Sequence, residues 1–81
     1  THKLKTWPKF YGAVLSGAKR FEVRKNDRDF QVGDVLRLEE WDPETLQYTG
    51  AVMLKYVTCI LHGGQLGIHP GYCVMSIGDN P

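Results

Sequence analysis

Cysteine is scarce in this 81-residue chain. Cys59 and Cys73 are the only two, too few for a disulfide framework and at a spacing that fits no zinc motif. Each sits in an apolar, strand-like run, so both are expected to be small buried hydrophobes in a reducing cytosol, with a disulfide between neighbouring strands as the alternative. The three histidines, His2, His62 and His69, are scattered. His62 and His69 share a glycine-rich stretch without a third ligand, so neither a metal site nor another cofactor is expected. No apolar run approaches the roughly 20 residues that span a bilayer, and the first ten residues have no signal-peptide core. A cytoplasmic location without a membrane partner is the expectation. The stretch Gly63-Gly64-Gln65-Leu66-Gly67 is followed by neither a lysine nor a helix signal, which makes it a poor phosphate loop. It is expected to cover a cleft or simply to connect two strands. Repeats, linkers and low-complexity segments are missing too, and the length allows one domain, 1–81.

What is present is the composition of an ordinary folded chain, 42% hydrophobic and 23% charged, which excludes a disordered, collagen-like or coiled-coil protein. The formal net charge is only +1, but its distribution is uneven. Residues 1–28 hold eight Lys or Arg against two acids, and residues 29–81 hold two against seven. Such an asymmetry fits either a basic surface offered to an anionic partner, often a nucleic acid, or two halves that neutralise each other across the fold.

Periodicity gives a mainly β chain with one helix near its start. Lys3-Leu4-Lys5 reads as a short first strand. Thr6 resembles a helix N-cap, Pro8 is tolerated in the first turn, and Phe10, Tyr11, Val14 and Leu15 make an apolar stripe. Gly17 ends this helix, expected over 7–16. Residues 20–24 alternate, with Arg20, Glu22 and Arg24 on one face and Phe21 and Val23 on the other, as in a half-buried strand. Further strands are expected at 35–41, where Leu36 and Leu38 share a face, at about 51–61, and at 72–77, where Cys73, Met75 and Ile77 alternate with Tyr72, Val74 and Ser76. Asp42-Pro43-Glu44-Thr45 is a turn signature, and 62–71 is a loop. Five or six short strands with one helix predict an α+β, mainly β fold: a curled, barrel-like sheet plugged by the helix.

The most informative stretch is Gly17-Ala18-Lys19-Arg20-Phe21-Glu22-Val23-Arg24. Residues i and i+2 of a strand lie about 6.5–7 Å apart on one face, so Glu22 and Arg24 can serve one site, and Lys19 can swing into the same space. Glu22 can accept hydrogen bonds from a base or amide, and Arg24 offers a planar fork to phosphate or carboxylate oxygens. Lys19 is a mobile cation and, beside Arg24 and buried, a candidate general base. The competing reading is a charged wet face that blocks edge aggregation, or an Arg24 spent on bracing a loop through Asp27 or Asp34.

The runs Ser16-Gly17-Ala18-Lys19, Phe21-Glu22-Val23-Arg24, Lys25-Asn26-Asp27-Arg28, Val32-Gly33-Asp34-Val35-Leu36 and Glu40-Trp41-Asp42, with Lys5-Thr6 and Pro8 ahead of the helix, resemble a small bacterial and phage family of uncharacterised domains. That family belongs to the ASCH superfamily, with its PUA-like fold. The resemblance implies a pseudobarrel whose cleft beside the helix is lined by Lys19, Glu22 and Arg24, and a role in binding RNA or nucleotides. One ASCH branch hydrolyses acetylated cytidine nucleosides with a lysine, a threonine three residues later and a distant glutamate. Lys19 matches that lysine, but Glu22 stands in place of the threonine.

Trp7, Trp41, Tyr48 and Tyr72 are candidate stacking platforms for unpaired bases, with core or rim packing as the alternative. Trp7 sits at the helix start, where Lys5 and Lys9 could extend a phosphate-binding strip. The expected ligand-binding set is therefore Lys19, Glu22, Arg24, Trp7, Lys5 and Arg28, and the leading expectation is an RNA- or nucleotide-binding module. The alternatives are a small amidohydrolase for an acylated nucleoside, with Lys19 and Glu22 as its acid–base pair, and an accessory domain whose basic face meets another protein.

Overall fold

The computed structural model describes residues 1–81. Along the chain run β1 (His2–Thr6), α1 (Pro8–Leu15), β2 (Phe21–Lys25), β3 (Val35–Asp42), β4 (Gln47–His62) and β5 (Tyr72–Gly78). The strands form one sheet in the order β1-β3-β4-β5-β2, curled into a half-barrel. Only the β1–β3 pair is parallel; the others are antiparallel.

Alternation decides which side faces inward. Leu36 and Leu38 of β3, Val57 of β4, and Cys73, Met75 and Ile77 of β5 point into the concave side, and all but Ile77 are fully buried. The first half of β4 pairs with β3 and its second half with β5, with register shifts between Glu39 and Trp41 and between Val57 and Cys59. Such bulges add twist and bend the strand, which lets a 16-residue element follow the curl. Tyr11 and Val14, three residues apart on one face of α1, join the core from the open side of the sheet, as does Phe30 from the segment between β2 and β3.

Several local expectations are corrected. Thr6 is not the helix cap, because the parallel ladder of β1 continues to the Thr6–Glu40 pair. Its hydroxyl donates to the Leu4 carbonyl at 3.3 Å. Trp7 takes the cap position in extended conformation, with no side-chain cap bond. The apolar stripe is narrower than read: Tyr11 and Val14 are buried, whereas Phe10 and Leu15 are exposed. A two-turn helix lying in a shallow hollow has only one row to bury. Cys59 is exposed and both thiols are free. The bulge after Val57 breaks the alternation that would have turned Cys59 inward. Cys59 pairs with Ser76 and Cys73 with His62, so the two cysteines stand three rungs apart. Burial pushes the Cys73 thiol pKa up.

Candidate functional site

The edges of the half-barrel are β1 and β2, and arginines tie them together instead of a backbone ladder. Arg24 Nη2 donates to the Lys5 carbonyl at 3.1 Å and lies 3.5 Å from the Thr6 hydroxyl. Arg28 Nη1 donates to the Lys3 carbonyl at 2.6 Å. Beyond Thr6 the chain departs into α1, and there the seam opens into a cleft of about 620 Å³. Its lining comes from the end of β1 (Lys5, Thr6), from Trp7, from α1 (Phe10, Ala13), from the turn (Ala18, Lys19) and from β2 (Phe21 to Arg24).

On its floor, Glu22 is 3% exposed. Its Oε1 accepts from Lys19 Nζ at 2.8 Å and its Oε2 from Arg24 Nε at 3.0 Å. A carboxylate this deep is tolerable only with such partners. The alternation of β2 is thus as read, but its wet-face reading is inverted. Glu22 and Arg24 point inward, in register with buried Met75 and Cys73, while Phe21 and Val23 are about half exposed. The three ionic groups neutralise one another enough to face the core, and their outer ends emerge in the cleft. Gly17, at φ +85°, makes the sharp exit from α1 that brings Lys19 over the end of β2. The Lys19 backbone N–H then donates to the Ala13 carbonyl at 2.9 Å, fixing that turn.

The trio carries a surplus of donors. Two cations share one carboxylate, Arg24 Nη1 engages no protein acceptor, and Lys19 Nζ uses one of its three N–H groups. Around them stand exposed aromatic rings. Trp7 is 51% exposed at the lip, and Lys19 Nζ lies 5.1 Å from the Phe21 ring centre and 5.7 Å from that of Phe10. An arrangement of this kind takes a ligand with oxygen acceptors at one end and a flat apolar surface at the other.

Not every expected residue gathers here. Lys19, Glu22, Arg24, Trp7 and Lys5 line the cleft, although the Lys5 ammonium lies 4.2 Å above the Trp41 ring. Arg28 is outside it, bound to the Lys3 carbonyl because the 26–34 segment folds back against β1. Trp41 and Tyr48 face each other in the β3–β4 pair and take no part in the lining. Tyr72 borders a separate hollow together with Gly67, Ile68 and His69, so the glycine-rich loop does not cover the cleft. Arg24 braces neither Asp27 nor Asp34. Asp34 accepts instead from the Gln31 backbone N–H at 2.9 Å and from His2 Nε2 at 2.8 Å, and these two bonds, Gln31 first, lower its pKa below the ordinary carboxylate value. No three His, Cys, Asp or Glu side chains come together as a metal site would need.

Sequence reasoning overlooked Thr6, Phe10, Ala13, Ala18, Phe21 and Val23 as cleft residues. For Phe21 and Val23 the signal was available: apolar residues alternating with a self-compensating charge pattern can be the outer set. The charge asymmetry also resolves. No Lys or Arg of residues 1–28 pairs with an acid from 29–81, and the one bridge between the two segments is His2–Asp34. Lys3, Lys5, Lys9, Arg20 and Lys25 are in no ion pair, and of these Lys5 lines the cleft.

The family described as a domain of unknown function (DUF3850) matches residues 1–77. The chain is also similar to a protein of Escherichia phage P2, described as an uncharacterised 12.9 kDa protein in the GpA 3′ region, with 48% identity over 40 residues. That stretch is 49% of this chain and 37% of the phage protein, so the match spans little more than a third of the relative's length. No helix is long and apolar enough to cross a membrane.

Proposed function

We propose that this chain, which belongs to the DUF3850 family, is a nucleic-acid- or nucleotide-binding module with RNA as its foremost ligand, and that its half-barrel is a PUA-like, ASCH-type arrangement. The observation that carries the reading is the open cleft in which a Lys19–Glu22–Arg24 floor with unused donors meets an aromatic lip. Arg24 Nη1 and the free N–H groups of Lys19 bind phosphate or ribose oxygens, and Trp7 stacks on a base. Glu22 holds both cations in place. Its oxygens keep spare lone pairs for a base N–H that reaches the floor. The unpaired lysines and arginines of residues 1–28 draw the polyanion in. At the position of the threonine used by the acetylcytidine-hydrolysing branch stands Glu22, already held by two cations, which favours binding over hydrolysis.

Fluorescence anisotropy with a short single-stranded RNA, across about 50–200 mM salt, tests this reading. Each phosphate contact on a single strand contributes a slope of about −0.7 in log affinity against log salt. Arg24→Ala is expected to weaken binding and to flatten the slope by about that amount. Trp7→Ala, at an exposed position, is expected to weaken binding with the slope retained. Affinity that ignores both salt and Arg24 overturns the proposal.

A further inference from the structure

Val23 lies between two hollows. One is the cleft; the other, about 550 Å³, is bounded by Val23, Tyr72 and Val74 of the sheet and by Gly67, Ile68 and His69 of the loop before β5. Val23 is the residue they share, and it belongs to the last strand of the sheet. The Arg20 carbonyl accepts from the Ile77 N–H, and the Asn26 N–H donates to the Gly71 carbonyl. Bonded residues alternate along an antiparallel strand, so the even-numbered residues of β2 turn their peptide groups to β5. Phe21, Val23 and Lys25 therefore present theirs to the open edge. The N–H and C=O of Val23 stand unpaired between the two hollows.

The second hollow has a built wall. The Gly63 N–H donates to the Tyr72 carbonyl at 2.8 Å, Gly64 N–H to Ile68 at 2.8 Å, and Ile68 N–H to Gln65 at 2.9 Å. A Cβ on Gly63 would lie 2.2 Å from the His69 carbonyl oxygen. The loop is thus stitched down on itself and shaped before anything binds. Inside, Tyr72 is 40% exposed, and the His69 ring meets it edge to face at 5.5 Å. Lys25, in register with Tyr72, is exposed and in no ion pair. Leading out of the cleft, the unpaired Val23 peptide group comes first, and one pair of residues further along the strand Lys25 stands opposite the Tyr72 ring.

We infer that the outer hollow is a second nucleotide subsite: the ligand is a single-stranded chain of at least two nucleotides, one base in the cleft and the next against Tyr72. This inference rests on the nucleotide reading of the cleft. Lys25 takes the linking phosphate, and the Val23 peptide group meets the sugar or base edge that crosses the strand. An uncharged loop wall and a cation on the sheet suit a base joined to a phosphate.

Isothermal titration of the full chain with uridine and adenosine 5′-monophosphates, and with the dinucleotides pUpU and pApA, tests it. Stacking one further base on an aromatic ring is expected to tighten a dinucleotide over its monophosphate by roughly 5- to 150-fold. That ratio is expected to collapse in Tyr72→Ala and to survive in Tyr72→Phe, which separates stacking from the charge of an added phosphate. If monophosphates bind and dinucleotides bind no tighter, or the gain persists in Tyr72→Ala, the second subsite is wrong while the cleft reading stands. If neither binds, the cleft reading fails and the subsite with it.

Discussion

Glu22 carries two duties in one side chain: it satisfies two cations and it fills part of the core wall. Removing one partner of a buried ion pair leaves an uncompensated charge, for which roughly 3–5 kcal/mol is typical. Lys19 and Arg24 keep side-chain exposures of 16% and 26%, so Glu22→Ala is expected to lose about 2–3 kcal/mol in urea unfolding. Glu22→Gln, which still accepts hydrogen bonds, is expected to lose less. Equal stability of Glu22→Ala and the parent would mean that the trio is not held together as described. The convergence of Lys19, Glu22 and Arg24 was legible from spacing alone, because i, i+2 geometry in a strand is rigid. Their burial was not. Period-two alternation names two faces without saying which is inward, and three charges that neutralise one another defeat the rule that charge marks the wet side. Arg28 was misplaced for a different reason. Its position depends on how a nine-residue connection folds back on β1, and no local pattern encodes that.

At the level of elements, the sheet is specified by apolar alternation in β3 and β5: Leu36 and Leu38 share a face as read, so do Cys73, Met75 and Ile77, and in the fold all five are inward. The short helix is less completely specified, since its position over the sheet decides which apolar residues are covered. Phe10 is therefore a cleft wall, not a core residue. The loop between β4 and β5 turns on a single close approach. Gly63 packs against two carbonyls, those of His69 and Tyr72, so Gly63→Ala forces backbone apart instead of displacing a flexible side chain. Its expected effect is a loss of about 2 kcal/mol or more in thermal or denaturant unfolding. Gly64→Ala meets no atom within 4 Å but sits at φ +83°, so only the milder left-handed strain, roughly 1–2 kcal/mol, is expected there.

For the molecule as a whole, one polar contact joins the start of the chain to the turn before β3. Asp34 binds the Gln31 N–H and His2, and its carboxyl is held below its ordinary range. A depressed carboxylate pKa stabilises the fold above the unfolded value, near pH 4, and that stabilisation is lost as pH falls through the folded pKa. The stability gap between the parent and Asp34→Asn is thus expected to be present at neutral pH, at about 1 kcal/mol, and to shrink in acid. Urea midpoints measured from neutral pH to pH 3 check it. Whole-molecule charge bears on the same question: no ion pair joins the Lys and Arg of residues 1–28 to later acids, as a positive excess available to a ligand requires. That availability is the central claim, and amide and side-chain NMR shifts during titration with a nucleoside 5′-monophosphate test it most directly. The expected result is a compact set of saturating shifts at Trp7, Lys19, Phe21, Glu22 and Arg24, weakened in Arg24→Ala. Shifts confined to residues that do not line the cleft, or no saturable shifts at all, would contradict it.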